Sequence, residues 1–216
     1  FYIGGGYNNG VPTSNPFDGK LSELVVYTAI PSPLEQEKIQ SYLGIKYGIT
    51  KLSADNAGTG GQDERDYFAS DGSVIWDFSA NSGYNNIITG VGRGDNSGLS
   101  QIQSKNVSTN AAVTIDHSVA FASDRTFLMW GNNALTGSSA DVPAGFDARS
   151  ARVTRLDISG TPGNVDFTID LAAAGIPETG NAADYRLFIN STSSFAVVDH
   201  TIAGGSLLGS ELTFSG

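Results

Sequence analysis

Apolar and polar residues alternate in short runs along most of the chain, and glycine-rich turns separate the runs. The clearest run is residues 164–171, in which apolar side chains alternate with aspartate and threonine. A period of two places the apolar side chains on one face of a strand. Similar short apolar runs predict further strands at residues 20–27, 74–76, 87–91, 113–115, 126–130, 185–189, 195–197 and 212–214. We therefore expect an all-β fold, an antiparallel, jelly-roll-like β-sandwich.

One segment has helical spacing instead. Ser32 and Glu35 have the spacing of a capping box, and Pro33 occupies the first helical position, where its missing N–H costs nothing. Charged residues such as Glu37 lie largely outside the apolar stripe, and Gly48 is a plausible end. The stripe consists of Ile39, Tyr42 and Leu43. These features predict one short α-helix near residues 33–47.

Composition and charge narrow the class of protein. The chain has 216 residues, with 12 Lys and Arg against 22 Asp and Glu, which gives a net charge of −10. Such an acidic chain repels phosphate backbones, so we expect no nucleic-acid partner. Cysteine is absent, which excludes disulfides and thiolate metal sites. No run approaches the ~20 apolar residues of a spanning helix, so we expect no membrane insertion.

The first part of the chain resembles the end of a known type of domain. Residues 17–27 (FDGKLSELVVY) and 31–35 (PSPLE) are similar to the closing strand and exit helix of LamG/concanavalin-like jelly rolls. Residues 42–49 (YLGIKYGI) resemble the helix end that often follows in bacterial surface proteins. The resemblance implies that residues 1–52 are the C-terminal strand and helix of a partial jelly roll. This piece either lacks the rest of its own domain or packs onto the next one.

The second part resembles the uncharacterised β-sandwich domain that follows such helices in large bacterial surface adhesins. The similar segments are residues 67–72, 74–77, 88–95, 99–104 and 127–133. The similarity is looser beyond residue 150, where Thr154 replaces an expected tryptophan. The resemblance implies a sandwich domain over residues 53–216 of an extracellular or cell-surface protein. It supplies no catalytic residues, so we expect no enzymatic activity.

Acidic loops are the best candidates for a metal site. Ca²⁺ takes six to eight oxygen ligands, and carboxylates in glycine-rich loops at the edges of a sandwich can supply them. Asp63, Asp66 and Asp71 are the candidate ligands. The alternative is that these residues are solvated acidic turns. Calcium is the one cofactor that the sequence suggests.

Two other patterns suggest ligands. Tyr2, Tyr7 and Tyr84 stand beside asparagines in loops, a pairing with which carbohydrate sites stack sugar rings, although ordinary turns have the same composition. Arg93 and Asp95 belong to an Arg-Gly-Asp tripeptide. We interpret that tripeptide as a turn with the arginine held by a carboxylate, in preference to an integrin motif.

Three functions follow from these observations. The first is a non-catalytic structural or adhesive module of a large bacterial surface or secreted protein, whose partners are neighbouring domains of the same polypeptide. The second is a subunit of an extracellular filament, in which residues 1–3 or 212–214 would be donated to an identical subunit as a strand. The third is a lectin-like module that binds glycans.

Overall fold

A computed structural model of the chain describes residues 19–51 and 65–216, together with the pairing of two short strands nearer the N-terminus. Those strands are β1 (Tyr7–Asn8) and β2 (Val11–Pro12). The chain divides into two compact units, Phe1–Pro31 and Ser32–Gly216. The sequence placed a boundary after residue 52, and the larger unit of the structure begins at Ser32 and includes the helix.

The helix forms where the sequence predicts it. It is α1 (Pro33–Tyr47), and both halves of the capping box are present: Ser32 N donates to Glu35 Oε2 at 2.7 Å, and Glu35 N donates to Ser32 Oγ at 3.4 Å. Hydrogen bonds from the backbone and side chain of Ser32 to the carboxylate lower the pKa of Glu35, because they favour its ionised form. Gly48 ends the helix in the left-handed conformation.

Strands make up most of the remaining regular structure. In chain order they are β3 (Tyr67–Phe68), β4 (Val74–Trp76), β5 (Asn86–Gly94), β6 (Leu99–Gln101), β7 (Gln103–Lys105), β8 (Val113–Asp116), β9 (Thr126–Asn132), β10 (Thr154–Ser159), β11 (Asp166–Asp170), β12 (Arg186–Ile189), β13 (His200–Ala203), β14 (Ser206–Leu208) and β15 (Glu211–Phe214). One further helical turn, α2 (Leu171–Ala174), follows β11. The all-β prediction with one substantial helix is confirmed.

Two antiparallel sheets form the sandwich. The four-stranded sheet has the order β10-β9-β5-β6, and the five-stranded sheet has the order β14-β15-β11-β8-β7. Only Ile102 separates β6 from β7, so the chain passes from one sheet to the other at that point. The hairpins β3–β4 and β12–β13 are separate two-stranded sheets.

Strand β9 is the centre of the core. Every residue of Thr126–Asn132 is buried, because the strand is covered on both faces. Leu128 and Trp130 pack with residues of the five-stranded sheet, whereas Phe127 and Met129 pack with α1 and the β3–β4 hairpin. Burial of each such side chain stabilises the fold by about 1.5–3 kcal/mol. The four-stranded sheet therefore lies between the helix and the second sheet.

Three predicted strands differ from the structure. Residues 20–27 are not in a strand: none of the described strands pairs with them, and their apolar side chains are exposed. Residues 195–197 form no strand, although Phe195 is buried. Leu171 begins α2 rather than ending β11, because the side chain of Asp170 accepts a hydrogen bond from Ala173 N and caps a helical turn.

Candidate functional site

The buried face of α1 is mostly polar or small, which corrects the expected apolar stripe. Its fully buried positions follow a spacing of three and four residues: Glu37, Ser41, Gly44 and Ile45. The residues of the predicted stripe are only partly buried. Gly44 is required here because a Cβ at this position would lie 2.9 Å from the backbone oxygen of Ile49, and it would also lie 3.2 Å from the ring of Tyr67. The backbone of the helix therefore approaches β3 closely and brings a carboxylate into the interior.

A buried ion pair neutralises that carboxylate. Lys51 Nζ lies 2.6 Å from Glu37 Oε2, and the two side chains are only 3% and 7% exposed. The ammonium group also donates to the backbone carbonyl of Asp66 at 2.6 Å. It lies 5.5 Å from the ring centroid of Tyr67 and 5.8 Å from that of Phe68. The lysine thus connects α1 to the strand β3 through charge, hydrogen bonds and ring contacts.

Hydrogen bonds extend this connection along β3. Ser41 Oγ donates to Glu37 O at 2.7 Å and accepts from Phe68 N at 2.9 Å. Tyr67 OH accepts from Lys51 N at 2.9 Å, and burial raises the pKa of this phenol. We call Glu37, Ser41, Lys51 and their partners in β3 the helix anchor.

The C-terminal end of α1 is also fixed. Gly48 O accepts from Val107 N at 2.8 Å. Asn106 Nδ2 donates to Thr50 Oγ1 and to Ile88 O, both at 2.9 Å. The residues that follow the helix are therefore bonded to β5 and to the connection after β7.

The predicted calcium ligands have other partners where the structure describes them. Asp63 lies outside the described residues. Asp66 is buried, and its Oδ1 accepts from Phe78 N at 2.7 Å. Asp71 accepts from the hydroxyl of Ser73 at 2.6 Å and from Arg125 at 2.9 Å, and these bonds hold the pKa of Asp71 well below its usual range. Within residues 19–51 and 65–216, no group of three or more His, Cys, Asp or Glu could hold a metal ion. Calcium binding stays a prediction.

The predicted sugar contacts are described at one position only. Tyr2 and the side chain of Tyr7 lie outside the described residues. Tyr84 is partly buried and packs against the core cluster under α1. The neighbouring amide of Asn85 accepts from the indole N–H of Trp76 at 2.9 Å, so it serves the fold. Glycan binding likewise stays a prediction.

The two charged side chains of the Arg-Gly-Asp tripeptide form an ion pair with each other. Arg93 Nε donates to Asp95 Oδ1 at 2.6 Å, and Nη2 donates to the other carboxylate oxygen at 3.1 Å. Arg93 Nη1 also donates to the carbonyls of Phe121 and Ala122, each at 3.0 Å. Both charged side chains are thus engaged within the chain, as the turn interpretation predicts.

Sequence reasoning missed the helix anchor. A signal was present, because Glu37, Ser41 and Gly44 recur at helical spacing and Lys51 follows the helix directly. Charge and small size at those positions indicated a solvated face by the usual rules. The close approach of β3 makes the same face buried instead.

A comparison with known families covers this whole region. A family model described as a domain of unknown function, DUF8202, matches residues 35–215. The chain belongs to this family. The DUF8202 match begins in the first turn of α1 and ends in the last residues after β15, so it includes the helix anchor and both sheets. No curated protein and no solved structure matches the chain.

The described residues contain no helix that is both long and apolar enough to span a membrane.

The two histidines are in separate settings. The ring of His117 stacks on Phe121 at 4.2 Å between centroids, and His200 is exposed on β13.

Proposed function

We propose that the chain is a non-catalytic structural or adhesive module of a large bacterial surface or secreted protein, and that residues 20–30 contact a neighbouring domain of the same polypeptide. One observation carries this proposal. An apolar, exposed segment leads directly into a helix that a buried ion pair fixes to the sandwich. The bacterial and extracellular placement rests on the sequence resemblance described above.

The exposed segment has the composition of a strand in a sheet. Val26 is 61% exposed and Ile30 is 94% exposed. The other large apolar side chains that are exposed in this segment are Leu21, Leu24, Val25 and Tyr27. Contiguous apolar surface of this kind usually marks an interaction site. A neighbouring domain would bury it and thereby gain about 25 cal/mol for each Å² of apolar area.

Hydrogen exchange can test this contact. The exchange of amides in residues 20–30 should be fast in the chain of 216 residues. The same amides should be protected in a longer natural polypeptide that includes the adjoining domain. Equal exchange in the two proteins would refute the proposed contact.

A cell-surface experiment separates a spacer from an adhesive domain. Residues 32–216 would be replaced, in the parent protein, by an unrelated sandwich domain of similar length. Adhesion that survives the replacement supports the structural role, and adhesion that is lost supports direct binding by this module. Unaffected adhesion after complete deletion of the module would contradict both.

One of the two strands expected for the filament hypothesis is already paired within the chain. Residues 212–214 lie in β15, which is paired with β14 on one side and with β11 on the other, and Leu212 and Phe214 are buried. This strand therefore cannot be donated to another subunit without disrupting its own sheet. Residues 1–3 lie outside the described residues.

Calcium and glycans stay secondary proposals. A melting temperature that is higher in millimolar Ca²⁺ than in EGTA would support a calcium site, because a ligand that binds only the folded state stabilises it. Saturable binding to a glycan that is lost when Tyr84 is changed to Ala would support the lectin-like role. An unchanged melting temperature would contradict the calcium site, and the absence of saturable binding would contradict the lectin-like role.

A further inference from the structure

Among the described residues, strand β10 is paired along one edge only. It is the last strand of the four-stranded sheet and pairs with β9 from Thr154↔Asn132 to Ser159↔Phe127. Among the described residues, no other backbone hydrogen bond reaches Thr154–Ser159. An edge strand with free N–H and C=O groups is a template for a strand of another chain.

The same strand exposes apolar side chains. Leu156 is 41% exposed and Ile158 is 55% exposed, although their partners in β9, Trp130 and Leu128, are buried. Both exposed residues belong to the face of the sheet that points toward the sandwich interior. Natural edge strands usually carry charge or proline at such positions, which prevents association. Within the described part of the chain, the apolar face of the sheet therefore continues to β10 and stays about half exposed there.

The charges on β10 are complementary to themselves. Arg155 and Asp157 flank Leu156 on the opposite face. In an antiparallel pair of identical strands with a twofold axis at Leu156, Arg155 lies opposite the partner's Asp157, and the contact occurs twice. An axis at Arg155 or at Asp157 would instead oppose two like charges, which destabilises a sheet. A shift of one residue in the pairing would set the inner face of one copy against the outer face of the other.

A buried asparagine holds both charges in place. Arg155 Nε donates to Asn81 Oδ1 at 2.7 Å, and Asn81 Nδ2 donates to Asp157 Oδ2 at 2.9 Å. Asn81 is 1% exposed, so both charged side chains are bonded to a buried amide. In the described part of the chain, the terminal guanidinium nitrogens and Asp157 Oδ1 make no hydrogen bond. They remain available for a partner strand.

We propose that two copies of this chain pair antiparallel along β10, with a twofold axis at Leu156, so that two four-stranded sheets become one continuous sheet. This inference goes beyond the proposed function and does not depend on it. A twofold interface uses the same patch on both subunits and closes on itself. The assembly is therefore a dimer, and it joins two copies of the chain side by side without growing into a fibre.

Charge exchange tests the register. Sedimentation velocity over a range of concentrations would compare the native chain with Arg155→Asp, Asp157→Arg and the double variant. Each single change places like charges opposite each other twice, and we expect the dimer to weaken about tenfold or more. The double variant restores complementary pairs and should dimerise again.

A mixture of the two single variants is the decisive sample. Their heterodimer has complementary charges at both contacts, so mixing should produce dimer from two weakly associating proteins. Loss of the bond to Asn81 alone cannot produce that rescue, because it affects each chain separately. Far-UV circular dichroism of every variant checks that it is folded. A native chain that stays monomeric at about 0.1 mM, or a mixture that stays monomeric, overturns the proposal.

Cysteine substitution tests the axis directly. The chain has no cysteine, so Leu156→Cys supplies the only thiol. Residues at the twofold axis of an antiparallel pair face their own copies with Cβ atoms about 4.5–5.5 Å apart, near the reach of a disulfide. Mild oxidation should link the Leu156→Cys dimer but not the matched control Ile158→Cys, which faces the partner's Thr154. Linkage of the control alone, or dimerisation that depends on residues 20–27 instead of β10, would overturn the proposed interface.

Discussion

The buried pair of Glu37 and Lys51 gives the sharpest test of the helix anchor. The two charges are 2.6 Å apart, so at an effective dielectric constant of about 20 their attraction is about 6 kcal/mol. Removing both charges from water costs several kcal/mol for each ion, which offsets most of that gain. The pair therefore adds little net stability. Loss of one partner, in contrast, leaves the other charge buried without compensation and costs about 3–5 kcal/mol.

Three variants separate these contributions. Methionine is unbranched and favours helices, so Glu37→Met keeps both the volume and the helix propensity. Lys51→Met keeps the volume at a position beyond the end of α1. We expect each single variant to lower the free energy of unfolding by about 3–5 kcal/mol. The double variant replaces the pair with apolar groups and should lose much less than the sum of the two single changes.

The pH dependence of the stability of each single variant tests independently which charge has been left unpaired. In Lys51→Met the buried carboxylate has lost its partner, and it can take up a proton in the folded state. This protonation costs about 4 kcal/mol at pH 7 for an ordinary glutamate, and it costs less at lower pH. The folded variant then binds more protons than the unfolded chain, so its penalty should shrink as pH falls toward 5. In Glu37→Met the buried ammonium group has lost its partner, and it can lose a proton. The loss of stability in this variant should therefore shrink as pH rises.

Urea unfolding measures these effects. The chain has two tryptophans, Trp76 and Trp130, and both are buried, so their fluorescence reports unfolding of the core. Coincident transitions by fluorescence and circular dichroism would validate the two-state treatment. A loss below about 1 kcal/mol for both single variants would refute the reasoning, because it would mean that water reaches the pair.

Other features of the helix and of β3 yield further predictions. Ser32→Ala should cost about 1 kcal/mol through loss of the cap, and the exposed control Ser118→Ala should cost almost nothing in the same urea titration. Gly48→Ala should destabilise more than Gly98→Ala: both have a left-handed φ, near +64° and +67°, but only the Cβ at Gly48 would collide with a backbone carbonyl. Burial raises the pKa of Tyr67, so stability should fall as pH rises above about 10, and an absorbance titration should find this phenol ionising only with unfolding.

Local signals in the sequence were sufficient for much of the fold. Helix α1 begins after the capping box at Ser32 and ends at the left-handed Gly48, as the sequence predicted. The apolar run at residues 126–130 predicted a strand, and the structure has β9 there. Each of these features depends on neighbours within a few residues, so a single sequence can reveal it.

Features that depend on distant partners were not predictable in the same way. Residues 20–27 have the composition of a strand, but none of the described strands pairs with them. In the sequence, Glu37 is an ordinary polar residue of a helix. It is buried in the structure because Gly44 allows β3 to approach and Lys51 pairs with its carboxylate. In both cases the outcome is decided by contacts between separate segments, which periodicity does not encode.

The helix anchor bears on specificity more than on stability. An apolar stripe could pack on a sheet at several rotations of the helix, because apolar contacts are not directional. A carboxylate at Glu37 has one buried cation to meet, and rotation of α1 would bury it unpaired at a cost of several kcal/mol. The polar face therefore selects a single docking of α1 on β3. The proposed role beside a neighbouring domain would require a helix that is fixed in this way.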